Sequence, residues 1–366
     1  MKPLSELTVA LVGISSISGN EDQIASFVYD KLVKCPWLDV LRIENNVVAR
    51  TNFGRKHRII LAGHLDTVPP SPPTTPLSSD DNTGADSARV DNREIYGLGV
   101  VDAKGGIAIM INLATEEQTP SVDVTYIFYA CEEIGREYNG LHNMLSAYPD
   151  LFAGDAAILT EPTGGIVEAG CQGTLQIFLS MRGKRAHTAR PSKGVNAIHR
   201  AGEVIGLINA YKPRICVLDG CQYTEALQVV NIQGGIAGNV VPDLVTLAIN
   251  HRFAPDKNSK QALEFLEGFL EPAMDTSFGD RIEVVDLAEP APPNLANSLL
   301  SDVVAVSGAK PRAKLGWTDV ATFHSIGIPA CNLGPGDPEL AHSGKEHLPI
   351  KDLDKTNSLF KSLLNS

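Results

Sequence analysis

Three apolar runs in the first half of the chain each lead into a histidine or an acidic residue, and this repeated pattern constrains the fold most strongly. The runs cover residues 58–62, 122–130 and 156–159, and each is short enough to be a buried strand. Between them, residues 106–114 have an apolar composition and length typical of a helix. Alternating strands and helices predict an α/β sheet that is covered by helices.

The polar residues that follow these runs predict a functional site. His64 and Asp66 follow the first run, Glu132 and Glu133 follow the second, and Glu161 follows the third. In an α/β sheet the carboxyl ends of the strands line the ligand crevice. We therefore expect these side chains to meet at one edge of the sheet.

Residues 174–286 have a different pattern, which predicts a second domain inserted into the first. The order of its elements is β-α-β-β-α-β, the ferredoxin-like arrangement. Strands are predicted near 175–182, 227–233, 244–253 and 281–287, and helices near 196–211 and 260–270. The pattern then returns to the α/β kind, with a helix near Ser298, a strand at 328–333 and a closing helix at 351–364. A chain of 366 residues exceeds what one core usually supports. We therefore predict a discontinuous catalytic domain, 1–173 and 287–366, around an inserted domain, 174–286.

Charge and cysteine content narrow the class of protein. The 31 Lys and Arg residues against 43 Asp and Glu residues give a net charge of -12, which disfavours nucleic acid and anionic membranes as partners. No apolar run reaches the length of a membrane span. Six cysteines without a CxxC pair predict reduced thiols and a cytoplasmic protein. At the start of the chain, helical spacing favours an amphipathic helix over a signal peptide, through Leu4, Leu7, Leu11 and Ile14.

The segment 69–93 is rich in Pro, Ser, Thr, Asp and Asn. Such a composition buries little apolar surface and predicts a surface loop. Because the segment begins directly after His64 and Asp66, a flap near the site is the alternative interpretation.

Five polar segments follow one another along the chain and carry a family resemblance. They are GHLDTVP at 63–69, GVVDAKGG at 99–106, CEEIG at 131–135, TEPT at 160–163 and GDPELAH at 336–342. In these segments the chain resembles the M20 family of metallopeptidases and deacylases, whose GHxDTVP, DxKGG and EE motifs occur in the same order. The resemblance spans nearly the whole chain. It implies a zinc-exopeptidase-like α/β/α catalytic domain with an inserted ferredoxin-like lid and dimerisation domain.

The resemblance implies two zinc ions per subunit. It assigns one to His64 and Glu161 and the other to Glu133 and His342, with the Asp102 carboxylate bridging both. Imidazole and carboxylate ligands suit Zn²⁺, and Co²⁺ or Mn²⁺ is able to substitute at such a site.

Three further roles complete the implied catalytic machinery. Asp66 is expected to accept a hydrogen bond from the His64 imidazole and fix its tautomer. Glu132 is expected to be the general base for a water held between the two zinc ions. In the family an oxyanion donor comes from the lid of the partner subunit. His187 occupies that motif position, so a homodimer through the lid is expected.

A narrower resemblance concerns the substrate. Segments EPTGG at 161–165, EAGCQG at 168–173, RFAP at 252–255 and GWTDV at 316–320 are similar to the succinyl-diaminopimelate desuccinylases of actinobacteria. The implied reaction is hydrolysis of N-succinyl-L,L-2,6-diaminopimelate, a small anionic molecule. The resemblance implies substrate contacts from Asn239 and Arg252 and places Thr318 at the pocket wall. More distant relatives carry an arginine pair where this chain has Cys171 and Gln172.

Two alternatives stay open. One is another amidohydrolase of the same family, such as an acetylornithine deacetylase or a dipeptidase. The other is an inactive relative that serves as a metal-binding dimeric scaffold. Loss of a ligand or of Glu132 would mark such a relative, and this chain retains every one of them.

Overall fold

The computed structural model of the chain describes residues 3–70 and 88–365. The helices are α1 (Pro3–Val12), α2 (Asp22–Leu32), α3 (Gly105–Glu116), α4 (Gly140–Ala147), α5 (Ala197–Ala210), α6 (Ser259–Leu270), α7 (Ser298–Ser307), α8 (Val320–Ser325) and α9 (Ile350–Leu364). The strands of the first half are β1 (Asp39–Ile43), β2 (Asn46–Arg50), β3 (Arg58–His64), β4 (Arg89–Asp91), β5 (Glu94–Tyr96), β6 (Asp123–Tyr129), β7 (Ala156–Leu159), β8 (Glu168–Ala169) and β9 (Gly173–Arg182). The later strands are β10 (Ile215–Leu218), β11 (Cys221–Thr224), β12 (Ala226–Gly234), β13 (Leu244–Phe253), β14 (Arg281–Ala288), β15 (Arg312–Ala313), β16 (Ala330–Asn332) and β17 (His347–Pro349).

The first compact unit is built on an eight-stranded sheet with the order β1-β2-β6-β3-β7-β16-β8-β15. Strands β6, β3, β7 and β16 run parallel to one another, whereas β1 and β2 join the edge as an antiparallel hairpin. The three apolar runs of the sequence are therefore three adjacent parallel strands. All seven residues of β6 and all four of β7 are buried, as the continuous apolar runs predicted.

Helix α3 packs into the core of this unit and thereby fixes the position of the segment that precedes it. Nine of its residues are buried, including Ile107 and Met110. Gly106 lets the helix approach the end of β7, since a Cβ there would lie 2.3 Å from the carbonyl oxygen of Thr160. An irregular turn, Val100–Lys104, leads into α3 and contains Asp102, whose φ of -120° and ψ of 91° are not helical.

The second unit is an antiparallel four-stranded sheet with the order β12-β13-β9-β14. Alternate residues of β9 are buried, and the apolar residues of α5 and α6 pack on that face of the sheet. This is the predicted ferredoxin-like arrangement, so the α/β class with an additional α+β domain is confirmed. The hairpin of β10 and β11 is an addition that the pattern did not predict.

The two units differ in detail from the predicted domain boundaries. The first comprises 1–169, 294–312 and 322–366, within the described residues, and the second comprises Gly170–Pro293 and Ala313–Ala321. The prediction placed Ala313–Ala321 with the catalytic domain, but the segment packs within the second unit. There the amide of Gln172 donates to the carbonyl oxygen of Lys314 at 3.2 Å, and Trp317 Nε1 donates to that of Glu289 at 3.1 Å.

Much of the predicted loop at 69–93 lies outside the described residues, which resume at residue 88. Its end forms β4, which pairs with β5, and β17 joins them in a three-stranded sheet that the sequence pattern did not predict. Within the described part of the chain, no helix combines the length and apolar character that a membrane crossing requires.

Candidate metal centre

The carboxyl ends of β3, β6 and β7 bring the predicted ligands together. His64 is the last residue of β3, Glu133 follows β6 by four residues, and Glu161 follows β7 by two. The remaining two predicted ligands come from connecting segments. Asp102 lies in the irregular turn before α3, and His342 lies in the segment after the short helix Pro338–Leu340. We call these five residues, His64, Asp102, Glu133, Glu161 and His342, the ligand cluster.

Asp102 lies between the two histidines of the ligand cluster. Its Oδ1 is 2.9 Å from Nε2 of His64, and its Oδ2 is 3.4 Å from Nε2 of His342. His64 Nε2 is also 3.8 Å from Glu161 Oε1, and His342 Nε2 is 2.8 Å from Glu133 Oε1. Each histidine therefore lies near a different oxygen of Asp102 and near a different glutamate.

Three overlapping groups of side chains could each hold a metal ion among the described residues. They are His64 with Asp102 and Glu161, Asp102 with Glu133 and His342, and His64 with Glu132 and Glu133, and the ligand atoms within each group lie within 4.8 Å of one another. The first two groups have Asp102 in common. Asp102 therefore belongs to two of the three candidate metal-binding groups, one with each histidine.

The electrostatics of the ligand cluster reflect the crowding of carboxylates around two imidazoles. Burial by itself would raise the pKa of Asp102, but hydrogen bonds from His342 and His64 outweigh it and hold the pKa far below its usual range. Hydrogen bonds to Asp102 and Glu133 raise the pKa of His342 to about 10. Although burial opposes it, the pKa of His64 is likewise raised, by its contacts with Asp102 and Asp66. These contacts therefore favour the protonated form of both imidazoles, and because a metal ion binds neutral imidazole, its binding would compete with these protons.

Asp66 has a larger structural role than the sequence indicated. The acceptor nearest to His64 Nδ1 is the backbone carbonyl oxygen of Asp66, at 3.0 Å, whereas the carboxylate oxygen lies at 3.5 Å. Its two carboxylate oxygens instead accept the backbone amides of Glu132 and Glu133, both at 3.0 Å, and the Ser18 hydroxyl donates to Oδ2 at 2.7 Å. Asp66 therefore holds both the imidazole and the Glu132–Glu133 backbone.

Two further acidic residues hold the same loops, and sequence reasoning missed both. Glu21 is fully buried and accepts the backbone amides of Gly19 and Cys131 at 2.7 and 3.2 Å. Glu346 accepts three backbone amides of the segment that carries Asp102. Neither residue lies at the end of a predicted strand or in one of the five motifs of the family resemblance, so neither line of sequence reasoning carried a signal for them.

The second unit contains the other predicted site residues. His187 and Asn239 are exposed and lie on neighbouring segments, since the amide of Thr188 donates to the Asn239 carbonyl oxygen at 3.1 Å. Arg252 lies on β13 with its Nε 3.1 Å from Asn250 Oδ1, and burial lowers the pKa of its guanidinium.

Thr318 and Gln172 are both buried in that unit. Thr318 is 3% exposed, and its hydroxyl has no hydrogen-bond partner among the described residues. Gln172 donates its side-chain amide to the carbonyl oxygen of Thr224 at 3.0 Å. The side chain that stands in place of one arginine of the distant relatives is thus bound within its own unit.

Comparison with known proteins identifies the class. The sequence model of the peptidase family M20/M25/M40 matches residues 60–366. The succinyl-diaminopimelate desuccinylase of Corynebacterium glutamicum is 41% identical over 366 residues, which cover 98% of this chain and 95% of that protein.

Solved structures agree with the fold. A tripeptidase from Staphylococcus aureus has a TM-score of 0.77 at 24% identity, covering 99% of this chain and 96% of that one. A dinuclear metal-binding peptidase of the M20 family from Bacillus subtilis has a TM-score of 0.69 at 17% identity, covering 99% and 96%.

The chain therefore belongs to the M20/M25/M40 peptidase family. It is a metal-dependent amidohydrolase, and the resemblance found in its motifs is confirmed. The carboxyl edge of its parallel strands carries a candidate metal site.

Proposed function

We propose that this chain is a dizinc amidohydrolase that cleaves N-succinyl-L,L-2,6-diaminopimelate to succinate and L,L-diaminopimelate. The observation that carries the proposal is the position of Asp102, with one oxygen toward His64 and the other toward His342. The substrate is supported by the desuccinylase of C. glutamicum, which matches nearly the full length of both chains. The reaction would supply diaminopimelate for lysine and cell-wall synthesis.

The residues of the ligand cluster fit zinc in chemistry and in number. His64 and Glu161 would hold one ion and Glu133 and His342 the other, with Asp102 shared between them. Two protein ligands and a bridge leave room at each ion for water or substrate. Bound zinc would lower the pKa of a water molecule and polarise the carbonyl group of an amide.

In this proposal Glu132 is the general base. Its backbone is held by Asp66, and its carboxylate belongs to one group with His64 and Glu133. Glu132 would take a proton from the attacking water and return it to the leaving amine. Asp66 would keep His64 Nε2 directed at the ligand cluster by holding the other side of the imidazole ring.

Substrate recognition is assigned to the second unit. Arg252 offers a planar guanidinium that matches a carboxylate group. His187 and Asn239 offer exposed polar groups on adjoining segments, and His187 would donate to the oxyanion of the partner subunit's substrate. Thr318 supplies a buried hydroxyl for the pocket wall.

A homodimer through the second unit is part of the proposal because His187 would act across subunits. β12 is an edge strand with Val230 57% and Ile232 46% exposed, and Ile205 of α5 is 41% exposed. Apolar edges of this kind are typical of interfaces. We expect sedimentation to give a dimer that Val230→Lys weakens. Val285→Lys, on the opposite edge strand β14, is the matched control. A monomeric parent protein would contradict this part.

We also propose a cytoplasmic location. All six cysteines are free thiols, which suits a reducing compartment.

The deciding experiment compares two substrates on one preparation. The chelator-stripped protein and the zinc-reconstituted protein are assayed with N-succinyl-L,L-diaminopimelate and with N-acetyl-L-ornithine. We expect zinc-dependent turnover of the succinyl substrate and a much lower kcat/KM for the acetyl substrate. The reverse preference would indicate another amidohydrolase of the family, and absence of turnover of both would favour a metal-binding scaffold.

Glu132→Gln tests the base and leaves the five residues of the ligand cluster unchanged. We expect kcat to fall about 10³-fold, since general base catalysis contributes on the order of 10²–10⁴. Glu137→Gln removes an exposed carboxylate a few residues along the chain and is the matched control. Retained activity in Glu132→Gln would show that another group takes the proton.

A further inference from the structure

The segment that carries Asp102 is held from behind by the carboxylate of Glu346. Oε1 of Glu346 accepts the amides of Val101 and Asp102 at 2.8 and 3.1 Å, and Oε2 accepts the amide of Gly99 at 2.9 Å. Glu346 is 5% exposed. A buried carboxylate with three amide donors has a defined position, and it fixes the backbone that it binds.

The turn needs such an acceptor because of its local conformation. Gly99 has a φ of 75° and Asp102 has φ and ψ of -120° and 91°, so neither continues a regular helix. Amides at the start of a helix have no acceptor within the helix. Glu346 supplies the acceptor, and one of the amides that it binds is that of Asp102 itself.

The same short segment of chain also supplies a ligand. His342 precedes Glu346 by four residues, and its Nε2 lies 3.4 Å from Asp102 Oδ2. The segment 342–346 thus contacts Asp102 twice, at its backbone through Glu346 and at its carboxylate through His342. The positions of Asp102 and His342 are therefore coupled.

We propose that Glu346 is a positioning residue of the metal centre, which orients the Asp102 carboxylate so that its two oxygens face different histidines. The inference rests on the proposed metal site, because only a bridging role requires that orientation. It assigns to Glu346, for Asp102, the role that Asp66 has for Glu132 and Glu133.

Asp123 offers a matched control in the same unit. It is 4% exposed, and its carboxylate accepts the amides of Phe53 and Arg55 at 2.8 and 2.9 Å. It lies at the amino end of β6, whereas the loop with Glu132 and Glu133 follows the carboxyl end. Asp123→Asn and Glu346→Gln therefore both replace a buried amide-binding carboxylate by its isosteric amide.

The test is the affinity of the full-length protein for Zn²⁺, measured by competition with a chromophoric chelator. Glu346→Gln keeps one acceptor oxygen but turns an amide group toward backbone donors. We expect it to weaken Zn²⁺ binding about 10–100-fold, the range for residues that orient metal ligands. Asp123→Asn should bind Zn²⁺ with the affinity of the parent, even if it lowers the Tm by as much as Glu346→Gln does.

Each outcome decides one statement. A parent protein that binds no Zn²⁺ would remove the proposed metal site itself. If the parent binds Zn²⁺ and Glu346→Gln binds it with the same affinity, only the role of Glu346 is overturned. The same holds if Asp123→Asn loses as much Zn²⁺ affinity as Glu346→Gln does. If Glu346→Gln does not fold, Glu346→Asp is measured instead. Its shorter side chain cannot reach all three amides, so parent-like affinity there would also overturn the proposal.

Discussion

The two ends of β6 both have buried carboxylates nearby, but they use them differently. At the amino end, Asp123 binds the amides of Phe53 and Arg55 and the hydroxyl of Thr51. At the carboxyl end, Asp66 binds the amides of Glu132 and Glu133 in the same way. The difference lies in the next layer of side chains. Beyond Asp66 the residues of the ligand cluster face one another, whereas Asp123 faces Arg58 at 3.8 Å.

This comparison separates acids that stabilise the fold from acids that are candidates to bind a metal ion. A carboxylate that accepts amide hydrogens is compensated by the protein itself. Several carboxylates within a few ångströms of one another repel, and a cation relieves that repulsion. The carboxyl end therefore carries a charge arrangement that a metal ion would complete, and the amino end carries one that the protein itself already compensates.

The largest expected effect is that of Asp102→Asn. The variant loses the bridging anion, so both ions of the proposed centre are weakened. We expect kcat/KM to fall by about 10⁴-fold or more, since metal catalysis supplies several kcal/mol and each factor of ten corresponds to about 1.4 kcal/mol. The bound zinc, measured by elemental analysis, should fall well below two ions per chain. A variant that keeps two ions and full activity would contradict the bridging role.

A second prediction concerns how zinc affinity depends on pH. The pKa of His342 is raised to about 10 in the metal-free protein, and zinc binds the neutral imidazole. A proton must leave this histidine below that pH, so affinity should rise about tenfold per pH unit for each proton released. Competition titrations at pH 6.5 and pH 8.5 measure this slope. Affinity that does not change with pH would mean that the ligand cluster is already deprotonated.

The smallest effect is expected from Asp123→Asn, and it should appear in stability alone. Burial would raise the pKa of Asp123, but hydrogen bonds from Phe53, Arg55 and Thr51 lower it below its ordinary value. A carboxyl with a lowered pKa in the folded state stabilises the protein above its unfolded pKa, and this contribution is lost as the pH falls. We expect the variant to lose about 1–3 kcal/mol in the free energy of unfolding at neutral pH.

The dependence of stability on pH at acidic pH gives the control for that prediction. The difference between the parent and Asp123→Asn should begin to shrink as the pH falls below about 4, because Asp123 is then protonated in the unfolded parent while its lowered pKa still resists protonation in the folded parent. Chemical denaturation at pH 7 and pH 3.5 measures it. A loss of activity without a loss of stability would place Asp123 in the functional machinery and break the comparison.

Most of the fold was predictable because its signals are local. The apolar runs at 58–62, 122–130 and 156–159 correspond to β3, β6 and β7, and the β-α-β-β-α-β pattern corresponds to the second unit. The two small sheets were not predictable in this way. β17 pairs with β5 although some 250 residues separate them, and a three-residue strand has too short a pattern to indicate a partner.

The amino-acid sequence by itself indicated His64, Glu133 and Glu161 as candidate ligands, because each follows a buried strand within a few residues. Asp102 and His342 do not follow such strands, and only the resemblance of their motifs to the family indicated them. The sequence did not determine what holds these residues. Glu346 lies 247 residues from Gly99, and its part in the centre depends on the direction of three backbone amides. The tertiary structure also decided the partners of Asp66. A hydrogen bond is set by distance and direction, and those exist only after the chain has folded.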